Sequence, residues 1–301
     1  DTESRLPLAE IKQYPKDSIF LSLNQNIKPD IQEFINILNH ADSFVDKDIK
    51  IHRSVLLFGP PGTGKTQAAK YIASQTNLPL VTVRIDGLVS SYLGSTSKNI
   101  RALFDFVEKT PCILFLDEFD AIAKMRDDAN ELGELKRVVN TLLQNIDSIE
   151  SKVPVIAATN HEHMLDPAVW RRFDYKIKID LPDADQRQHL IKEFLNGNTK
   201  DDKIFNMLIE MTNKFSGAEI ETFCNQIRTN LVMDQKTSIL KKNLMNYYIK
   251  FKNRNGKGNE QLIDDSVGSK MLLAKSFREQ NEKIFTFRNL AELTGISQGK
   301  L

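Results

Sequence analysis

The sequence predicts an α/β fold, with a parallel sheet flanked by helices, followed by a small α-helical domain. Two observations support this prediction. Up to Pro182, short runs rich in β-branched residues alternate with amphipathic helical stretches, which is typical of repeated β-α-β units. After Pro182 the β-rich runs stop and only helical patterns continue. We therefore expect right-handed crossovers and a functional edge at the carboxyl ends of the strands.

Each element of this fold is predicted from its own stretch of sequence. The predicted strands are Val55–Phe58, Leu80–Arg84, Ile113–Asp117, Val155–Thr159 and Tyr175–Ile179. The predicted helices between them are Gln67–Gln75, Lys98–Glu108 and Leu135–Ile146, and those of the second domain are Asp183–Leu195, Lys203–Thr212 and Ser216–Met233. A capping box of Ser216 and Glu219 is expected to start the last of these helices.

Four segments are expected along the chain. Residues 1–17 form an N-terminal extension, 18–182 the large α/β domain and 183–252 the helical lid domain. Residues 253–301 form a linker and a C-terminal helical segment, because the chain turns polar and Gly-containing from Asn253 to Ser269.

The composition is that of an ordinary soluble globular protein. Of its 301 residues, 41% are hydrophobic and 27% charged, and no apolar run reaches the ~18 residues of a membrane helix. The net charge of +1 argues against an overall nucleic-acid-binding field. Cys112 and Cys224 offer neither a disulfide framework nor a metal-binding spacing, so we expect reduced thiols and a cytoplasmic location.

A phosphate-binding loop is predicted directly after the first strand. The residues match G-x-x-x-x-G-K-[ST] and lie between a strand and a helix, which is the context that this motif requires. Backbone N–H groups of such a loop hold phosphate oxygens, while the lysine neutralises the β- and γ-phosphates and the hydroxyl ligates Mg²⁺. The predicted ATP-binding residues are Gly59, Pro60, Pro61, Gly62, Thr63, Gly64, Lys65, Thr66 and Gln67.

Two acids and an amide complete the predicted hydrolytic site. Asp117 and Glu118 follow an apolar strand, so Asp117 is placed to hold Mg²⁺ together with Thr66, and Glu118 to polarise the attacking water. A helix start enriched in acids is the alternative. Asn160 ends the next strand, where an amide can sense the γ-phosphate, although a turn Asn has the same pattern.

These motifs together resemble the AAA ATPases, a family of P-loop NTPases. The resemblance rests on the phosphate loop, on the Leu-Asp-Glu and Ala-Ala-Thr-Asn runs, and on Asp166-Pro-Ala…Arg171-Arg172-Phe-Asp, and it covers about residues 18–235. Most members read Arg-Pro-Gly-Arg-Phe-Asp at the last motif. This chain lacks the Pro-Gly pair, which is closer to the meiotic branch with spastin and katanin, and we expect a bacterial-type member.

The resemblance implies roles for residues that the sequence pattern alone leaves open. Arg171 and Arg172 would be arginine fingers that reach the nucleotide of a neighbouring subunit, so hydrolysis would need a homo-oligomer, expected to be a hexameric ring. By themselves, these arginines are more typical of surface ion pairs. Gly217 and Ala218 would contact the nucleotide from the lid domain.

A substrate-gripping loop is implied at Tyr92 and Leu93, where the family's unfoldases carry an aromatic–hydrophobic–Gly loop in the central pore. The alternative is a surface loop whose Tyr92 and Leu93 fold back onto the core. The charged stretch 126–134 lies where a second pore loop would be, and a plain solvated loop is equally consistent with its sequence.

Two C-terminal features leave nucleic acid as a weaker candidate partner. The stretch 236–257 is basic and contains Tyr247, Tyr248 and Phe251, a pattern that fits either a solvated helix face or contact with nucleic acid or an acidic peptide. Residues 287–300 fit either the start of a helix-turn-helix or an ordinary helix with a Gly cap.

The sequence therefore predicts Mg-ATP hydrolysis at sites shared between subunits of a ring, driving the remodelling or translocation of a protein substrate. The alternative is a nucleotide-gated assembly module that acts on a separate partner or effector, and the weaker alternative is a DNA-associated ATPase.

Overall fold

The computed structural model describes residues 9–45, 47, 49, 51, 53–84, 93–121, 134–149, 152–197, 199, 201–255, 263–264 and 266–301. The chain divides into two compact units, Asp1–Asp180 and Leu181–Leu301. Each unit has a hydrophobic core of its own.

The first unit contains a six-stranded sheet, as far as the described residues show. Its strands are β1 (Glu10–Lys12), β2 (Ser54–Phe58), β3 (Leu80–Arg84), β4 (Ile113–Asp117), β5 (Val155–Thr159) and β6 (Tyr175–Lys178), in the order β1-β3-β4-β5-β2-β6. All neighbours pair in parallel except β1, which runs antiparallel to β3. The predicted parallel α/β fold is confirmed, and its strands match to within one residue at either end. The short strand β1 was not predicted.

Helices cover both faces of this sheet. The helices of the first unit are α1 (Lys28–Asn39), α2 (Ala41–Val45), α3 (Lys65–Thr76), α4 (Leu93–Lys109), α5 (Glu134–Ile149) and α6 (Pro167–Trp170), with a 3₁₀ turn at Glu162–Met164. Side chains alternate along each strand, so Leu56 belongs to the core under α4 and α5, whereas Val55 and Leu57 belong to the core under α1 and α3. Burial on both faces explains why β2, β4 and β5 are nearly continuous apolar runs.

The second unit is helical throughout its described residues. Its helices are α7 (Ala184–Leu195), α8 (Asp202–Met211), α9 (Gly217–Met233), α10 (Lys241–Asn255), α11 (Val267–Gln280) and α12 (Phe287–Thr294), with a final 3₁₀ turn at Gln298–Lys300. Ser216 and Glu219 form the predicted capping box, and Asp183 and Gln186 form another at α7. No helix in the described part of the chain is long and apolar enough to cross a bilayer.

The C-terminal helices share one core with the rest of the second unit. Phe277 of α11 and Phe285 stack at 5.1 Å between ring centroids, and Phe277 also contacts Tyr248 of α10. Leu290 and Leu293 of α12 are buried in the same core. Residues 253–301 are predicted as a linker and a separate C-terminal helical segment, whereas α11 and α12 of this segment pack into the core of the helical domain.

The aromatic residues of the basic stretch are core residues. Tyr247, Tyr248 and Phe251 are all buried, and Phe251 lies against Phe215 and Phe223 at about 5 Å between ring centroids. The suggestion that these rings are interleaved with lysines to contact nucleic acid is therefore wrong, because buried rings cannot stack on bases.

The tail ends as a helix with a glycine cap. Gly295 follows α12 in the left-handed region, and its N–H bonds the carbonyl of Ala291. Residues 298–300, the end of the stretch that also fits the start of a helix-turn-helix, form a 3₁₀ turn. The two cysteines are buried free thiols, as expected, and burial raises the pKa of Cys112 to about 11 and that of Cys224 to about 12.

Candidate nucleotide-binding site

The predicted site residues of the first unit gather at one edge of the sheet. Strand β5 lies between β2 and β4, with Phe58 in register with Thr159 and Leu116 in register with Ala157. Because the three strands are parallel, the segments that follow them emerge side by side. These segments are the phosphate loop after β2, Asp117 and Glu118 at the end of β4, and Asn160 after β5.

Glycine is required where the phosphate loop begins. Gly59 has a φ of +138°, and a Cβ built there would lie 2.2 Å from the carbonyl oxygen of Ile179. This close approach follows from sheet pairing, since the Ile179 N–H donates to the Phe58 carbonyl at 2.8 Å. Gly64, with a φ of +102°, precedes α3 and again needs a residue without a Cβ. At these two positions no side chain covers the backbone of the loop, which leads directly into α3.

Lys65 is a buried cation at the base of this loop. Its Nζ donates to the Gly59 carbonyl at 2.9 Å and to the Pro60 carbonyl at 2.7 Å. Burial lowers the pKa of Lys65 to about 8, against the opposing effect of the carboxylates of Asp117 and Asp120. The positive charge is thus held where phosphate oxygens would meet the loop.

Thr66 and Asp117 form a pair of oxygen ligands. The Thr66 hydroxyl donates to Asp117 Oδ2 at 3.1 Å, which joins the first turn of α3 to the end of β4. Such hard oxygen donors suit Mg²⁺. Within the described ranges, no cluster of three or more His, Cys, Asp and Glu side chains could hold a metal ion. Mg²⁺ is usually held by one or two protein oxygens together with substrate phosphates and water, so the pair of Thr66 and Asp117 fits Mg-ATP.

Glu118 occupies a strained backbone position. Its φ is +54°, in the left-handed region that non-glycine residues rarely adopt, and its N–H donates to Asp117 Oδ1 at 2.9 Å. The Phe119 N–H then donates to the Ala158 carbonyl at 2.8 Å, which anchors the chain back on β5. Strain of this kind costs about 1–3 kcal/mol and is concentrated at functional sites.

Asp120 is a site residue that the sequence analysis missed. It is buried, and it accepts a hydrogen bond from Thr159 Oγ1 at 3.2 Å, while Thr159 Oγ1 accepts one from the His161 N–H at 3.1 Å. These bonds fix the chain on either side of the exposed Asn160. The run Asp117-Glu118-Phe119-Asp120 could have indicated this role. A third acid so close to a buried strand is itself expected to be buried, and a buried carboxylate needs a hydrogen-bond partner.

The two predicted arginine fingers differ in their surroundings. Arg172 Nε donates to both carboxylate oxygens of Asp147 on α5, at 2.8 and 3.1 Å. Arg171 is exposed, and its side chain has no hydrogen-bond or ion-pair partner among the residues that the structure describes. The structure therefore holds Arg172 in place and leaves Arg171 to the solvent.

The remaining predicted residues lie in several places. Gln67 Nε2 donates to the Phe20 carbonyl at 3.1 Å. Gly217 and Ala218 are the first residues of α9 in the second unit, and their nucleotide contact stays a prediction. Tyr92 lies outside the described residues, as does the stretch 126–133. Leu93 begins α4, and Glu134 begins α5.

The family model described as "ATPase family associated with various cellular activities (AAA)" matches residues 55–181. This range runs from β2 to just past β6 and includes the whole edge described above. Residues 55–181 of the chain therefore form an AAA ATPase domain. Members of this family use ATP with Mg²⁺, as the sequence analysis predicted. The closer likeness to the meiotic branch stays a prediction.

Similar proteins come from bacteria, archaea and yeast. The uncharacterized AAA family ATPase y4kL of Sinorhizobium fredii is 42% identical over 200 residues, which is 66% of this chain and 60% of y4kL. Proteasome-activating nucleotidase 1 of Haloferax volcanii is 37% identical over 210 residues, 67% of this chain and 52% of the relative. The 26S proteasome regulatory subunit 6A of Saccharomyces cerevisiae is 35% identical over 229 residues, which is 73% of this chain and 53% of the relative. The aligned region thus spans between 52% and 60% of these relatives.

Lys65 is expected to make nucleotide affinity depend on pH. Its lowered pKa of about 8 means that the free protein loses this positive charge as the pH rises through that value, while bound phosphates favour the charged form. Between about pH 7.5 and about pH 9, the Kd of a fluorescent Mg-ATP analogue should therefore rise about eightfold.

Fluorescence titration with two variants checks this assignment. Lys65→Ala should bind weakly, with no such pH dependence, whereas Lys70→Ala on the same helix should keep the wild-type dependence. A wild-type Kd that does not change over this range, or a dependence that survives in Lys65→Ala, would contradict the role of Lys65.

Proposed function

We propose that the protein hydrolyses Mg-ATP at sites completed by a neighbouring copy of the chain. The observation that carries the proposal is the contact between Thr66 and Asp117 beneath the phosphate loop, with Glu118 as the next residue. A site that only bound nucleotide would need the loop, Thr66 and Asp117. An acid held in a strained backbone position beside them adds a group for activating water.

The residues of one chain divide the work as follows. The loop N–H groups and the Lys65 ammonium bind the β- and γ-phosphates, and Thr66 and Asp117 hold the metal. When bound, Mg²⁺ neutralises charge on the phosphate oxygens. Glu118 orients the attacking water and accepts its proton, and the Asn160 amide contacts the γ-phosphate. Asp120 and Thr159 keep this corner of the site in place.

Arg171 is the finger that this chain offers to its neighbour. It is exposed and without a partner among the described residues, as a group that must reach another subunit would be. Arg172, held by both oxygens of Asp147, positions the turn that carries Arg171. Because each finger must reach the site of the next subunit, the subunits would form a closed homo-oligomeric ring. The family resemblance implies that this ring is a hexamer.

A protein is the proposed substrate of the ring. Support comes from the names of two of the relatives, a proteasome-activating nucleotidase and a proteasome regulatory subunit. The sequence adds the pair Tyr92 and Leu93 directly before Gly94, which would grip an extended chain without selecting its sequence. Remodelling or translocation of a polypeptide is therefore the proposed output of hydrolysis.

Three single substitutions separate the two arginines. Arg171→Ala should lower kcat by about 10³-fold or more while leaving ATP binding intact, because the charge it supplies acts on the transition state. Arg172→Ala and Asp147→Ala should each lower kcat less, and by similar factors, since both break one ion pair. ATPase rates measured over a range of protein concentrations test this, and the wild-type specific rate should rise steeply with concentration. A larger loss in Arg172→Ala than in Arg171→Ala, with Asp147→Ala unaffected, would make Arg172 the finger.

Tyr92→Ala tests the proposed work on a protein. The variant should keep most of its ATPase rate and lose the ATP-dependent unfolding of a tagged fluorescent substrate. The reason is that Tyr92 is proposed to grip the substrate polypeptide and to take no part in ATP hydrolysis. Ser97→Ala on α4 serves as the control and should retain both activities. Full unfolding activity in Tyr92→Ala would contradict the gripping role and favour a nucleotide-gated switch.

A further inference from the structure

The second unit contains a cavity of about 400 Å³ that the proposed function does not use. It lies between α8, the start of α10 and the segment leading into α12, and all of its walls belong to this unit. The lining includes cationic side chains from each of these elements. These are Lys203, Lys241, Lys283 and Arg288.

Only one carboxylate of the lining, that of Glu292, balances this charge. The Lys241 Nζ lies 2.6 Å from Glu292 Oε2, and the Arg288 Nε lies 3.6 Å from Glu292 Oε1. Lys203 and Lys283 are exposed, and neither side chain has an ion-pair partner among the described residues. The cavity is thus locally cationic in a chain whose net charge is only +1.

The N-termini of α10 and α12 add to the positive electrostatic potential of the cavity. Lys241 is the first residue of α10, and Arg288 lies in the first turn of α12. Helix N-termini carry partial positive charge and favour acids in the first turn, yet neither of these first turns contains one. Cations placed there are unfavourable unless paired, and Lys241 and Arg288 share the single carboxylate of Glu292. The positive charge is therefore only partly balanced, which favours binding of a further anionic group.

The other lining groups point to a peptide. Asn206 is exposed and its amide can both donate to and accept from a peptide backbone, while the half-buried Ile284 offers an apolar contact. A free phosphate could accept a hydrogen bond from the amide but would not use the apolar contact. Duplex nucleic acid does not fit a concave site of this size, and the cations on several elements call for a ligand with more than one carboxylate.

We propose that this cavity docks an acidic peptide segment of a partner protein, with an apolar side chain against Ile284 and carboxylates facing Lys203 and Lys283. Recognition of acidic segments by clusters of cationic side chains is a recurring mode of peptide binding. The lining of this docking site shares no residue with the predicted nucleotide site. The proposal therefore does not depend on ATP hydrolysis.

Fluorescence anisotropy of the full chain with a labelled peptide of repeated Glu-Glu-Leu units tests the proposal. Lys203→Glu/Lys283→Glu should weaken binding about tenfold or more, because each reversal places like charge against the ligand. Lys242→Glu/Lys250→Glu is the matched control, since it changes the net charge equally at exposed lysines of α10 outside the cavity, and it should bind as the wild type does. ATPase rates and thermal unfolding of both variants should match the wild type.

Several outcomes would overturn the proposal. These are absence of peptide binding by the wild type, equal weakening in both variants, or equal binding of a matched Gln-Gln-Leu peptide. Complete competition by pyrophosphate at stoichiometric concentration would assign the cavity to free phosphates instead. Cavity-dependent binding of a labelled DNA duplex, without peptide binding, would assign it to nucleic acid.

Discussion

The parallel strands β2, β4 and β5 are buried on both faces, and the whole candidate site depends on this constraint. Their alternating side chains, such as Val55 toward one core and Leu56 toward the other, fix the register to a single choice, because a shift by one residue would exchange the two faces. With β5 held between β2 and β4, the phosphate loop, the paired acids and Asn160 emerge together. Hydrophobic burial thus positions polar groups that would not otherwise collect.

Three neighbouring features at this edge of the sheet are unfavourable for the stability of the fold. Lys65 is a desolvated cation whose pKa is lowered to about 8, and Glu118 has a left-handed backbone. Gly59 is tied to its conformation by the Ile179 carbonyl. These costs are met by the packed sheet beneath the site. Anionic phosphates would relieve the first cost directly, because they favour the charged form of Lys65.

Much of the first unit could be predicted from sequence because its signals are local. Leu80–Arg84, Ile113–Asp117 and Val155–Thr159 appear in the structure with the predicted bounds, since buried parallel strands are short apolar runs bounded by polar residues. The phosphate loop was recognisable because its spacing is set by backbone geometry. The strand Glu10–Lys12 was missed because it is three exposed residues long, with no apolar pattern to mark it.

The features that sequence could not supply depend on contacts between distant residues. Asp147 lies 25 residues from Arg172, and nothing local indicates that the two pair. Asp120 has its partner on the neighbouring strand. In the second unit, the polar stretch after Asn253 resembled a linker, although Phe277 and Phe285 beyond it return to the same core. Tyr248 and Phe251 lie among lysines in the sequence, which suggested an exposed helix face. Their burial depends on the other helices that pack against α10, and the local sequence does not show these.

Mixing two inactive variants tests most directly whether the nucleotide sites are shared between subunits. Glu118→Gln removes the group that activates water in its own site, and Arg171→Ala removes the finger offered to the next site. If subunits combine at random in a ring, equal mixing should restore about a quarter of the wild-type ATPase rate, because that fraction of interfaces pairs an intact Glu118 with an intact Arg171. A mixture no more active than either variant alone would contradict the account and place every catalytic group within one chain.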